Sequence, residues 1–475
     1  MPITALAQPA SRSVPINLVL ETECGARKNE ALSDYSQRSL SWCPGTRLMA
    51  AFTDTSALAG RRLYVSFELV PGQEGGMPFP FTLSTFTASG QPVSHIGASF
   101  QVGQQRLETS VYVPREAASA YLIVSSPHLP QGQRSVTIRD VQARVSDSAF
   151  EPGQMCEQCR TYLDEALDRV RHQFLFADRL QLGEMENALR TAATGAAAVG
   201  DMDGTMKELA RRLAEASMAA GVMAHGQYQT SAEYAAVAAA ADPATAQAGP
   251  PPFETALLDG QVGLVRLRTF LEADMAAGTA YATGLRAAIV MLHGQGARQW
   301  IIDLRSHLGG TLAPAVAAMR PLLGQGPVGY VVDAAGQRQD GWMWGDINLP
   351  ASVADTYFTA QSPWFDGAGQ AVAVLFGPGT MSTGEMLAIA FHGRPRTRSF
   401  GLPSGGFTTI VSGRRDRYGN FLGIASGYSA DRRGQRIAPR VLPDVTVDQA
   451  PAGASAPDQA LAAARDWLHQ TLPSQ

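Results

Sequence analysis

From about residue 15 to residue 148 the apolar positions come in short runs that alternate with polar ones: "RLYVSFELV", "FPFTLSTFTA", "TSVYVP", "AYLIVSS" and "SVTIRDVQARV", with Gly, Pro and Ser clusters between them. This pattern predicts strands, because a half-buried strand sends alternate side chains to opposite faces; so many strands at such spacing predict an N-terminal all-β sandwich, jelly-roll-like. After "FEPGQMCEQC" the period changes. In "YLDEALDRVRHQFLF" from Tyr162, and again in "MDGTMKELARRLAEASMAAGVM", apolar residues recur at helical spacing, with Asp203 or Thr205 able to cap the second helix. "EYAAVAAAADPATAQAGPPPF" then grades from Ala-rich into a Pro-rich linker that breaks at Pro250 to Pro252. Beyond it "VGLVRLRTF", "QWIIDLR", "VGYVVD", "AVAVLF", "RTRSFGL" and "FLGIASGYSAD" read as strands, with the helix-like "YATGLRAAIVMLHGQG" between the first two, which predicts an α/β domain. The expected organisation is multidomain, as 475 residues exceed one ordinary core: 1–14 a residual export segment or linker, 15–150 the sandwich, 151–250 a small helical subdomain, 251–475 the α/β domain.

Composition narrows the function classes. The chain is 45% hydrophobic and 17% charged, as a folded protein should be, and its net charge of -4 offers no basic field for nucleic acid. No continuous apolar run reaches the ~18 residues of a membrane span. "ALAQ" at residues 5 to 8 has the small-x-small end of a truncated secretory signal, so a periplasmic or secreted location is expected. The four cysteines form two local pairs, Cys24 with Cys43 and Cys156 with Cys159. One CxxC plus a wide pair lacks zinc-site spacing, so disulfides are expected and neither metal nor cofactor. Oligomeric state is not set by the sequence.

Two segments carry candidate chemistry. In "GPGTMSTGEMLAIAFHGRP", residues 377 to 395, a buried-strand pattern runs through a turn of small residues into a helix pattern, and Ser382 sits at the junction. Such a turn lifts a side chain clear of the sheet end and points backbone N–H groups, here that of Thr383, at the space beside it. Glu385, three residues on, is expected to satisfy backbone groups at the helix start. "DLRSHLGG", residues 303 to 310, ends a strand in Gly309 and Gly310, whose N–H groups suit an oxyanion. A serine hydroxyl needs a base. Two lysines, Lys28 and Lys207, stand against 36 arginines, and neither lies in the α/β region. Histidine is left, and the chain has eight. His307 lies inside the glycine turn; His392, ten residues along the helix from Ser382, would be roughly 15 Å up its axis. His225 in "AAGVMAHGQYQT" stands at a break where a side chain can face a cleft, and spacing alone leaves the choice open.

These segments resemble peptidase family S41, the C-terminal processing or tail-specific proteases. "WIIDLRSHLGG" is similar to the signature DLRxNxGG, "GTMSTGE" to the nucleophile turn TxSxxE, and "FGLPSGGFTT" and "RVLPDVTV" fall where that family has its GxxTxG segment and late PDV strand. The resemblance spans roughly Tyr162 to Val447. It implies a ClpP/crotonase-like α/β catalytic domain with Ser382 as nucleophile. Phe407 occupies the place of the processing proteases' dyad lysine, so the chain looks like the lysine-free Ser-His branch, similar to nisin resistance proteins and tricorn core proteases, in which His225 would be the base. Two positions depart from pattern: Gly226 follows the histidine where a serine is usual, and His307 replaces the signature asparagine. The implied reaction is serine endopeptidase hydrolysis of peptides or protein C-terminal tails through an acyl-enzyme, with Thr383, Gly309 and Gly310 as oxyanion donors and Asp431 as a possible orienting acid. The alternative is a catalytically silent peptide- or ligand-binding protein on the same scaffold; an α/β-hydrolase esterase would want G-x-S-x-G, and T-M-S-T-G stands there instead.

Overall fold

A computed structural model describes residues 10–471 except 15–16, 22–29, 33–37, 43–46, 53–56, 72–78, 101–105, 126–133, 224–226, 234–250, 272–274, 325, 340–341, 345–346, 350–356, 360–361, 414 and 449–457. The "ALAQ" stretch, Cys24, Cys43, His225 and Gly226 lie outside the described residues.

The N-terminal part is all strand: β1 (Ser11–Ser13), β2 (Asn17–Glu21), β3 (Glu30–Leu32), β4 (Arg38–Trp42), β5 (Arg47–Phe52), β6 (Arg61–Pro71), β7 (Phe79–Phe86), β8 (Pro92–Phe100), β9 (Arg106–Val113), β10 (Ser119–Ser125) and β11 (Arg134–Ser146). They form two sheets, ordered β1-β11-β6-β9 with β4 also on β11, and β3-β2-β5-β10-β7-β8. The period-two pattern becomes burial in β6, where Leu63, Val65 and Phe67 are fully buried and Leu63 faces the equally buried Val111 across the ladder. Arg62, on the opposite face, donates Nε–H to Ser110 Oγ of β9 (2.9 Å) and also reaches beyond the sheet. Its guanidinium donates to the carbonyls of Ala192 (3.1 Å), Thr194 (2.8 Å) and Asp201, so the strand is pinned to the helices that follow.

Those helices are α1 (Glu157–Gln173), α2 (Leu182–Ala192) and α3 (Asp203–Ala219). A Cys156–Cys159 disulfide closes the first turn of α1. Asp203 does not cap α3 as expected: it is the helix's first residue, and its carboxylate accepts from Lys207 Nζ (2.9 Å) one turn on. A short strand, β12 (Gln227–Gln229), then pairs antiparallel with β23 (Phe421–Asp431), so the helical core of Leu163, Leu167, Leu209 and Leu213 continues into Leu422, Ile424 and Ala425.

The remaining elements build the expected α/β unit. Strands β13 (Phe253–Leu258), β14 (Val262–Leu267), β15 (Gln299–Asp303), β20 (Ala371–Phe376), β21 (Thr397–Gly401) and β24 (Val445–Thr446) make one sheet in that order, parallel from β14 onward with β13 antiparallel at the edge. Both faces are covered. Trp300, Ile302, Val372, Val374 and Phe376 turn toward a core shared with α4 (Met275–Gly294), α5 (Ala313–Leu323) and α6 (Thr383–Phe391), while Ile301, Ala373 and Leu375 meet Ala464 and Leu468 of α7 (Gln459–Gln470). Burial on two faces is why "AVAVLF" is continuously apolar rather than alternating. A second sheet, β12-β23-β16-β17 with β22 on β23, uses β16 (Gly329–Val332), β17 (Arg338–Gln339) and β22 (Thr409–Ser412); β18 (Trp342–Trp344) and β19 (Ile347–Leu349) form a separate pair. By length and a mean hydropathy of 1.3, α4 passes the test for a membrane-crossing helix. Its Tyr281, Leu285, Ile289 and Leu292 lie in the domain core, and Arg286 donates to the carbonyls of Ala317 and Ala318.

Candidate active site

Ser382 stands between the end of β20 and the start of α6, at the carboxyl edge of the parallel sheet, where α/β proteins place ligands. Its backbone is left-handed, φ 52° and ψ -118°. A non-glycine residue held there stores on the order of 1–3 kcal/mol of strain, so the surroundings must enforce it. They do so from three sides. Thr380, fully buried, donates its hydroxyl to Leu304 O (2.9 Å) beyond β15 and accepts from Gly377 N–H (3.1 Å). Gly379 passes so close to Arg305 that a methyl group there would stand 2.6 Å from the Arg305 carbonyl oxygen. Glu385, buried in the first turn of α6, accepts from Ser382 N–H (2.9 Å), Gly406 N–H (2.7 Å) and the Ser404 hydroxyl. Burial pushes its carboxyl above the ordinary glutamate range, against the pull of those donors. Glu385 thus does what the sequence suggested and also reaches 21 residues onward, which the sequence did not show.

The glycine signature occupies the neighbouring strand end. Burial alone would raise Asp303, but Arg305 (2.8 Å) and Arg266 (3.1 Å) hold it below the usual carboxylate range, and Arg305 continues to Asp458 (2.8 Å). The acid and the arginine of the signature are therefore structural. Gly309 and Gly310 have φ of 129° and 119°. A methyl group on Gly309 would meet Ser382 Cβ at 3.1 Å, and one on Gly310 would meet Phe270 O at 2.1 Å, so both positions demand glycine. The fold thereby brings Gly309, Gly310, Ser382 and Thr383 together. Gly309 N–H donates to His307 Nδ1 (3.3 Å), whereas the amides of Gly310 and Thr383 make no hydrogen bond among the described residues.

Asp431 is placed elsewhere. It is fully buried and accepts from His392 Nδ1 (2.9 Å) and from the amides of Arg433 and Gln435 (2.9 Å each). His392 caps the carboxyl end of α6, the end opposite Ser382, so the nine residues of the helix, about 13 Å, separate this pair from Ser382. A cavity of about 230 Å³ opens at that same far end, between His392, Arg394, Ser399, Arg433 and Asp444. Ser382 does not line it. Lys207 is also excluded as a base: burial alone would lower its pKa, but Asp203 and Glu233 hold it above the ordinary lysine value. Sequence reasoning missed Thr380 and Ser404; each lies beside glycine, in "GPGT" and "PSGG", the one local sign of a backbone crowded by a neighbour.

Residues 261–447 match the family model of peptidase family S41. The nisin-resistance protein of Lactococcus lactis subsp. lactis is 31% identical over 136 residues, which cover 28% of this chain and 40% of that protein; the chain thus matches well under half of this relative's length. A solved lipoprotein from Streptococcus agalactiae superposes with a TM-score of 0.53 at 18% identity, covering 66% of this chain and 97% of that one, which shows a common fold. A photosystem II D1 C-terminal processing protease aligns with a TM-score of 0.40 at 18% identity over 62% of this chain and 94% of its own. The matched segment, 261–447, holds both the glycine signature and the serine turn, and through it the chain is similar to peptidase family S41.

Proposed function

We propose that the protein is a serine endopeptidase in which Ser382 attacks the scissile carbonyl and His225 takes and returns the proton. One observation carries the assignment of the base. Met223 N–H donates to Gly406 O (3.1 Å), and Gly406 N–H in turn donates to the same Glu385 carboxylate that holds Ser382 N–H. Met223, two residues before His225 in the chain, is thereby tethered to the nucleophile's own hydrogen-bond network. Gln227, two residues after His225 in the chain, opens β12, which pairs with β23.

As Oγ adds to the carbonyl carbon, the imidazole accepts its proton; as the tetrahedral intermediate collapses, the imidazolium returns that proton to the leaving amine, and water repeats the cycle on the acyl-enzyme. Such acid–base help contributes ~10²–10⁴-fold. Thr383 N–H and Gly310 N–H would hold the oxyanion, each worth on the order of 3 kcal/mol, with Gly309 N–H a third donor only when it leaves His307. Substrates are peptides or protein C-terminal tails, as the resemblance of the serine turn and glycine signature to those of peptidase family S41 implies. The accompanying fold reading is an accessory sandwich (15–150), a helical lobe supplying the base (151–250) and a ClpP/crotonase-like catalytic unit (251–475). The Cys156–Cys159 disulfide and the lipoprotein relative support a periplasmic or secreted location.

The test is covalent labelling of the full chain with a fluorophosphonate, followed by digestion of a peptide library read by mass. Labelling is expected on Ser382, with loss in Ser382→Ala and severe slowing in His225→Ala. A folded protein that takes no label and cuts no peptide is the silent binder instead.

A further inference from the structure

The two loops that meet at Ser382 come from different strands, β15 and β20, and an oxyanion hole works only if donors on both are held to about 0.5 Å. His307 is where the loops are joined. Its carbonyl accepts Met381 N–H (3.0 Å), the residue before the nucleophile. Its Nδ1 accepts Gly309 N–H (3.3 Å), the residue against Ser382 Cβ. Its own N–H is fixed to Leu304 O (3.0 Å). The ring is 1% exposed and packs on the first turn of α6, where a methyl group on Gly384 would stand 3.1 Å from both His307 Cβ and Nδ1.

We propose that His307 is a positioning residue: it ties the glycine loop to the nucleophile turn, so that Gly310 N–H and Thr383 N–H keep converging on one point beside Ser382 Oγ. The inference rests on the reading of Ser382 as nucleophile. Only a neutral imidazole with its proton on Nε2 can accept from Gly309, since the cation has a donor at both nitrogens. Burial supplies that state, pushing the His307 pKa down to about 4. An asparagine carbonyl can accept the same N–H, whereas a leucine of similar bulk cannot.

The experiment compares His307→Leu and His307→Asn with the parent on a peptide found by library digestion, together with ring ¹⁵N shifts of the parent protein. His307→Leu is expected to lower kcat by roughly 10–100-fold with KM changed less than about threefold, because donor alignment matters only in the transition state. His307→Asn should recover kcat to within about threefold, and the ring shifts should show an unprotonated Nδ1 from pH 5 to 8. Full kcat in His307→Leu, or His307→Asn as slow as His307→Leu, overturns the proposal, as does a protonated Nδ1. The ring shifts need no variant, so they decide even where His307→Leu fails to fold. Labelling of Ser382 reports separately on the enzyme reading beneath.

Discussion

Replacing Lys207 with methionine should cost the helical lobe about 3–5 kcal/mol, because it strands two buried carboxylates. Lys207 Nζ lies 2.9 Å from Asp203 Oδ2 and 2.7 Å from Glu233 Oε1, with the three side chains 6%, 9% and 1% exposed. Methionine keeps the apolar stem and removes the charge. Asp203 Oδ1 already has no partner among the described residues, and burial already raises the Asp203 carboxyl with Lys207 the main opposing influence. Glu233 also closes a local box, its Oε2 accepting Thr230 N–H (2.8 Å) and its N–H donating to Thr230 Oγ1 (3.2 Å), so the damage extends to the segment after β12. Native-state hydrogen exchange of the Leu209–Leu213 amides in α3 measures it: at 1.36 kcal/mol per decade, protection at pH 7 should fall by roughly two to four orders of magnitude. The pH dependence has a definite sign. Without the lysine, burial holds the Asp203 carboxyl above its unfolded value with its main opposing influence gone; the folded state binds the extra proton, so the penalty is largest above the folded pKa and shrinks as pH falls below it. A variant whose exchange stays within about fivefold of the parent, or whose deficit is larger at pH 5 than at pH 7, would refute this reasoning.

Glu385→Gln exchanges a carboxylate with several donors for an amide that brings N–H groups to face N–H groups, and should cost about 2–3 kcal/mol while slowing fluorophosphonate labelling of Ser382; unchanged labelling and melting would show the network is not holding the turn. In Gly309→Ala the new methyl meets Ser382 Cβ at 3.1 Å at a φ of 129°, so kcat is expected to drop at least ~10-fold, checked by steady-state kinetics on the same peptide. The Cys156–Cys159 bridge closes a loop of only four residues and should contribute about 2 kcal/mol; the double serine variant, followed by thermal melting, should lose no more than a few degrees.

Where a function depends on residues adjacent in the chain, the sequence alone determined it. A continuous apolar run, a turn of small residues and a helical period specify that Ser382 is lifted from the end of β20, because periodicity and turn chemistry are local properties. The disulfide of "CEQC" was legible for the same reason, and the absence of any lysine from the α/β region is what points the proposed base toward a histidine. Only the tertiary structure decided which polar groups meet. Asp431 pairs with His392 at the wrong end of α6, Asp203 binds Lys207 rather than capping α3, and His307 bridges two loops whose strands are neighbours in the sheet but about 70 residues apart in sequence. A buried polar side chain takes whichever partner the packing brings within hydrogen-bond distance, and that distance is set by the whole sheet, not by the residues on either side.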